Sequence, residues 1–406
     1  MRLAIVTNIL TPYKVDLFKA MAERIEDFDV LVMAKREENR LWEIGHTPFK
    51  CQVLPGLHLK GPGVEASFHV NYGIWRRLRR INPDIVMCGG FAPAHLSAFL
   101  FTRAGKKHYV QWGEFALSDG AESSPLRRML RRLLIGRAAG CIASSTKARE
   151  AFVHYGADPQ SVLTALLPFD VTGLHKRVTA YRASQAGDTA RRQYPGPVLL
   201  WVGQLIDRKG VRELLSLYSR VRAKMPAVHL LIAGEGPLRE WCQSEVRLRG
   251  WDRVRLLGNI PPDQLFRIYA LADVFVLTTR YDCFGLVLGE AMACELPVVA
   301  SIHAAATLDL VEERRTGFRC DPHRSEEASA KILEVLALSS RDRAAIGRAA
   351  YEIVKQCDAS FSAGSMVRFL SSLNKSPHDA SLLRQQIGPS LESFQESSRN
   401  SRAMDV

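Results

Sequence analysis

No paired-cysteine motif, no long apolar run and no short-period repeat occurs in this 406-residue chain, and each absence removes a class of protein. The eight cysteines (51, 88, 141, 242, 283, 294, 320 and 357) stand singly, without a C-x-x-C pair or a ladder of ligand spacings. That excludes zinc-finger modules and disulfide scaffolds and reads as reduced thiols in a cytoplasmic protein. The longest apolar stretches, such as Ala98–Phe101 or Ile268–Leu277 with Asp273 inside it, fall far short of the roughly 20 residues that cross a bilayer. The opening Leu3–Val6 is too short for the apolar core of a secretory leader. Acidic residues are also in short supply: 42 Asp and Glu face 55 Lys and Arg, a formal charge of +13. The excess gathers early, at Arg76, Arg77, Arg79 and Arg80, then Arg103, Lys106 and Lys107, then Arg127 to Arg137. Nucleic acid, anionic lipid and a phosphate-bearing substrate are the partners such charge suits. No nucleic-acid recognition module accompanies it, so nucleic acid is set aside.

What is present is an ordinary folded composition, 47% hydrophobic and 24% charged, in a chain longer than single cores usually grow, so two domains are expected. Strand-length apolar runs alternate with amphipathic stretches, the pattern of β-α-β units and parallel sheets. One series runs through Leu3–Thr7, Val30–Met33, Ile85–Cys88, His108–Gln111 and Cys141–Ala143. A second runs through Val198–Val202, His229–Ala233, Val254–Leu257, Val274–Leu277 and Val298–Ser301. The expected organisation is a Rossmann-like domain over 1–170, a polar linker over 171–196 and a second Rossmann-like domain over 197–358. A helix over 359–374 returns to the first domain, and a Ser-rich disordered tail occupies 375–406.

Doubly wound sheets bind ligands beyond the carboxyl ends of their strands, and in the second half those ends carry chemistry. Val198–Val202 runs into Gly203 and then Arg208, Lys209 and Gly210 before a helix. Basic side chains at a helix start suit a diphosphate, although a charged turn with a glycine cap has the same look. Gly234 and Gly236 follow the next strand, and Gly258 and Asn259 the one after. The fourth strand reaches Asp282, Phe284 and Gly285, and Glu290 sits within the helix that begins near Leu286. A carboxylate accepts hydrogen bonds from both hydroxyls of a vicinal diol, so one of this pair suits a ribose and the other a transferred sugar. A solvated helix residue is the plainer account of Glu290, against which stand its apolar neighbours.

The stretches VGQLIDRKG, LLIAGEGPLRE and LADVFVLTTRYDCFGLVLGEAMACELPVVAS, in that order, resemble the donor domain of retaining glycosyltransferases of family four, which have the GT-B fold of two facing Rossmann-like domains. TNILTPYKVDLF and HYVQWGEF are similar to the acceptor domains of bacterial members that build surface polysaccharide or lipopolysaccharide. The resemblance implies a nucleotide-sugar donor, no obligatory cofactor or metal, Lys209 on the diphosphate, and Glu290 on the ribose. It implies further that Asp282, with the amides of Phe284 to Leu286, holds the transferred hexose. Three departures stand out: Asp282 where a glutamate is usual, Gln204 where many members have an arginine, and Glu295 in a turn that usually holds glycine.

In the first half Tyr13, Lys14 and Glu114 fall at strand exits and are the acceptor-side candidates. Glu114 would orient an acceptor hydroxyl or take its proton; a helix cap is the structural alternative. Leu126, Met129, Leu130, Leu133 and Leu134 recur at helical spacing among arginines. Such a helix either lies on an anionic membrane near a lipid-linked acceptor or packs on a core with a solvated basic face. His95 and His303 lie near loops, where a lone histidine is most often packing or surface. Asp27-Phe28-Asp29 opens a strand, at the wrong end for a metal-dependent transferase. The rival class is a protein of the same fold that binds nucleotide sugar without turning it over.

Overall fold

The computed structural model describes residues 1–36, 46–60, 67–117 and 124–373; the expected tail over 375–406 lies outside them. Two compact units form, one from Met1–Phe169 with the segment from Ala359 onward, the other from Asp170–Asp358. The strands of the first unit are β1 (Leu3–Thr7), β2 (Phe28–Val32), β3 (Lys50–Val53), β4 (Gly56–Lys60), β5 (Ser67–Asn71), β6 (Ile85–Cys88), β7 (His108–Gly113), β8 (Gly140–Ala143) and β9 (Val162–Thr164). Seven of them make a sheet in the order β3-β2-β1-β6-β7-β8-β9, and β4 pairs antiparallel with β5 apart from it. All five residues of β1 are buried, as a central parallel strand covered on both faces requires. The strand called Val30–Met33 starts earlier, because buried Phe28 pairs in register with Leu3.

Helices α1 (Pro12–Ala22), α2 (Ile74–Ile81), α3 (Pro93–Ala104), α4 (Pro125–Ile135) and α5 (Thr146–His154) complete the alternation. In α4, Leu134 is buried and Leu130 and Leu133 pack on the core, while Leu126 and Met129 remain exposed. The Arg131 guanidinium lies over the Phe115 ring at 4.5 Å. The core therefore takes up the carboxyl-terminal leucines of this helix, and the apolar residues left outside are at its start.

The interval expected to be a linker is folded. Residues 171–196 carry α6 (Val171–Arg182) and α7 (Gln185–Arg192) and belong to the second unit. Val171, Leu174 and Val178 are buried along one face of α6; the polar residues between them hide that period in the sequence. Asp170 accepts from Gly173 N–H at 2.8 Å and Ser184 from Gly187 N–H at 3.1 Å, capping the two helices.

The second unit continues with β10 (Val198–Val202), α8 (Val211–Lys224), β11 (His229–Ala233), α9 (Arg239–Leu248), β12 (Val254–Gly258), α10 (Leu265–Leu271), β13 (Val274–Leu277), α11 (Leu286–Ala293), β14 (Val298–Ser301), α12 (Ala305–Leu310), β15 (Phe318–Cys320), α13 (Ser325–Ala337) and α14 (Ser340–Val354). Its sheet is parallel in the order β12-β11-β10-β13-β14-β15. The order reverses between β10 and β13, which opens a crevice at their carboxyl ends.

A last helix, α15 (Ala359–Ser372), packs on α1 in the first unit. Met366, Phe369 and Leu370 share a core with Leu17, Phe18 and Met21. Truncating Phe369, which is 2% exposed, leaves a cavity in that core. Phe369→Ala is expected to destabilise the first unit by about 3–5 kcal/mol and to leave the unfolding of the second unit in place, read by urea titration with probes in each unit.

Candidate functional site

Every strand exit of the second sheet opens on the same edge, and backbone hydrogen bonds lace the loops there together. Gly203 N–H donates to Ala233 O at 3.0 Å, Leu205 N–H to Glu235 O at 2.8 Å and Gly234 N–H to Gly258 O at 2.8 Å. These glycines thus serve the loop framework. Asn259 is exposed beside it. The glycine after Lys209 is dictated by sterics: Gly210 has φ +72°, and a Cβ there would stand 1.8 Å from Thr278 O.

That close approach fastens the β10 exit to the β13 exit across the switch point. Thr278 Oγ1 donates to Gly210 O at 2.7 Å and receives Trp201 Nε1–H at 3.1 Å. Thr279 Oγ1 donates to Arg208 O at 3.0 Å, and Arg280 N–H to the same oxygen at 2.9 Å. The result is an ion pair between Lys209 Nζ and the Asp282 carboxylate, whose side chains are only 19% and 12% exposed. Arg208, the neighbouring basic candidate, donates to Tyr281 O at 3.1 Å and braces the loop.

Asp282 is held from behind as well. Its N–H donates to His303 O at 3.2 Å, and Ala306 N–H reaches Phe284 O at 2.8 Å. Phe284 buries its ring, and Gly285, at φ +98°, starts α11 with no side chain capping the first turn. Amides of that turn, beginning at Leu286, are therefore available to an anion or a sugar hydroxyl. Four residues into α11, Glu290 Oε2 accepts from the hydroxyl of buried Tyr269 on α10 at 2.8 Å. Burial raises the Glu290 pKa, and the tyrosine's hydrogen bond acts against that rise.

At the carboxyl edge of the first unit's sheet, Tyr13 Oη donates to Glu114 Oε1 at 2.6 Å, uniting the start of α1 with the exit of β7. Lys14, by contrast, is turned inward: it is 6% exposed and donates to Thr7 Oγ1 at 2.9 Å and Asn8 Oδ1 at 3.1 Å. His95 is buried and accepts Ala92 N–H on Nδ1 at 2.9 Å. Burial, with the nearby Lys14 charge, drops its pKa to about 3; it is a neutral packing residue.

Sequence reasoning thus named both members of the Lys209–Asp282 pair without seeing that they meet. It missed Tyr269, whose only signal is a tyrosine in an apolar helix 21 residues before Glu290. It also missed Thr278 and Thr279, which read there as the polar end of a strand.

Residues 190–353 match the family described as glycosyl transferases group 1, and residues 10–165 the one described as glycosyl transferase 4-like domain. A glycogen synthase of Mycobacterium tuberculosis is 30% identical over 224 residues, 52% of this chain and 54% of that protein. A D-inositol 3-phosphate glycosyltransferase of Segniliparus rotundus is 29% identical over 57% of this chain and 52% of its own length. The chain matches about half the length of these curated relatives. Among solved structures, Anabaena HepE in complex with UDP is similar over 92% of this chain and 100% of its own, at TM-score 0.72 and 19% identity. Sucrose-phosphate synthase of Thermosynechococcus elongatus is similar over 92% and 99%, at TM-score 0.69 and 17% identity. At these identities the likeness is one of fold.

Because Glu290 is easier to protonate in the folded chain than in the unfolded one, its contribution to stability falls as pH rises from the ordinary glutamate range through its raised pKa. Removing the hydroxyl in Tyr269→Phe strips the carboxylate of its donor. The expected cost is about 1–3 kcal/mol at neutral pH, shrinking on acidification below the Glu290 pKa, as followed by denaturant unfolding across pH.

Proposed function

This chain belongs to the family-four glycosyltransferases of GT-B fold, and from that premise we propose that it moves a hexose from a nucleoside-diphosphate sugar to a glycan or lipid-linked acceptor. The transfer proceeds with retention at the anomeric carbon, in the building of a cell-surface polysaccharide or glycolipid. The observation that carries this reading is the Lys209–Asp282 pair beside the uncapped start of α11, at the switch point of the second sheet. Anabaena HepE, similar in fold, is known with UDP and with UDP-glucose, which supports a donor of that class here.

In this reading the donor diphosphate takes the Lys209 ammonium, Asp282 turns to hydroxyls of the sugar, and Glu290 accepts from the ribose diol. As the glycosidic bond breaks, the departing diphosphate gains charge, so a cation and amides already in place stabilise the transition state more than the ground state. Glu114, oriented by Tyr13, receives the acceptor hydroxyl. No helix among the described residues is long and apolar enough to cross a membrane. Access to a lipid-linked acceptor from the cytoplasmic side would use exposed Leu126 and Met129 with the arginines of α4.

The test is nucleoside diphosphate release from UDP-, GDP- and ADP-sugars with and without a bacterial lipid extract. Lys209→Ala and Asp282→Ala are each expected to lower kcat by about 10²–10³, whereas donor binding without release in the wild-type chain would overturn the catalytic reading. With the donor fixed, Glu114→Gln is expected to raise the KM for acceptor while leaving donor affinity unchanged, measured by initial rates and by calorimetry.

A further inference from the structure

Behind the Asp282 loop, three side chains converge that the transfer chemistry leaves unused. His303 follows β14, and Asp321 and His323 follow β15. One ring nitrogen of each histidine and one carboxylate oxygen of Asp321 lie within 4.8 Å of one another. His303 Nε2 stands 3.4 Å from Asp321 Oδ1, close to the separation of about 3.3 Å between ligand atoms around a tetrahedral zinc with bonds near 2.0–2.1 Å.

The surroundings suit a cation. His323 N–H donates to Asp321 Oδ1 at 3.0 Å. Glu213 of α8 lies 3.8 Å from His323 Nδ1. Its side chain is 10% exposed, and among the described residues its buried Oε2 atom has no hydrogen-bond partner. The atom nearest the imidazole is Glu213 Oε1, too far for a hydrogen bond, and it places negative charge beside His323. Arg280 engages Glu213 Oε1 at 2.7 Å, and Arg324 stands 3.9 Å from Asp321 Oδ2, leaving Asp321 Oδ1 toward the histidines.

We infer that His303, Asp321 and His323 form a binding site for a divalent transition metal of the zinc class, backed by Glu213. Two imidazoles and a carboxylate are the ligand set of zinc-type ions; magnesium and calcium prefer all-oxygen sites. The site has a direct path to the donor loop, because His303 O accepts Asp282 N–H and Ala305 N–H donates to Asp282 O at 3.3 Å. A metal at this position ties the exit of β15 to the backbone that aims Asp282, so occupancy stiffens the loop without touching substrate.

The experiment is calorimetric titration of the full chain with zinc(II), with cobalt(II) absorption reporting coordination number. The expected result is one site per chain, weakened at least about tenfold in His323→Ala and in Asp321→Asn and absent in the double variant His303→Gln/His323→Ala. His323→Ala, at an exposed side chain, removes a ligand with little effect on packing, and circular dichroism checks that each variant is folded. Zinc(II) is further expected to slow hydrogen exchange at the Asp282 and Ala305 amides in the wild-type chain and not in the double variant. No binding to the wild-type chain, or equal binding to the folded double variant, would overturn the inference. These readouts need no transfer activity, so they stand or fall separately from the proposed function.

Discussion

Lys209 and Asp282 sit 73 residues apart in sequence and meet because two strand exits are locked together by threonine hydroxyls and a glycine that admits a carbonyl. Both side chains are largely withdrawn from water, where removing one partner costs far more than removing both. The pair therefore constrains how any anionic ligand can enter. An anion that reaches Lys209 either shares its three N–H donors with Asp282 or displaces it, and a displaced Asp282 needs other donors. Sugar hydroxyls beside the α11 amides are such donors.

Much of this was legible in the chain. The central strands announced themselves as continuous apolar runs, and the glycines and charged residues at their ends marked the edge where ligands bind. Of the strands that escaped notice, β9 and β15 are three residues each, β3 is a partly exposed four-residue edge, and β4 and β5 form a hairpin apart from the main sheet. The stretch read as a linker escaped because α6 buries only three of its twelve residues. Of the site, the identities of Lys209, Asp282 and Glu290 were visible and their partners were not. Ion pairs and buried hydroxyls across a parallel sheet depend on which strands become neighbours, and spacing along one strand carries no record of that. Lys14 illustrates the reverse error: a lysine at a strand exit looks available until the fold turns it onto Thr7 and Asn8.

The departures from the family pattern separate into two kinds. Glu295 adopts φ +54°, so the turn keeps its left-handed geometry without glycine, at a cost on the order of 1–3 kcal/mol. The backbone at that corner is thus dictated by the fold and tolerates the side chain. Asp282 is different, since its shorter reach is spent on Lys209, and the chemistry of the site changes with it. Gln204 adds no charge to the loop framework beside Gly203, so Lys209 and Arg208 are the cations set against the Asp282 loop.

The return of α15 to α1 gives the second unit the status of an insertion. Ala359 N–H donates to Phe169 O at 3.0 Å, so the chain leaves the first unit and re-enters it at neighbouring residues. During synthesis the part of the α1 core that Met366, Phe369 and Leu370 complete stays open until everything from Asp170 through Asp358 has emerged. At translation rates of roughly 5–20 residues per second, that interval lasts on the order of 10–40 s. The later-made unit can close its core on the ribosome while the earlier-made one is still waiting, and a chaperone that shields Phe18 and Met21 would act in that window.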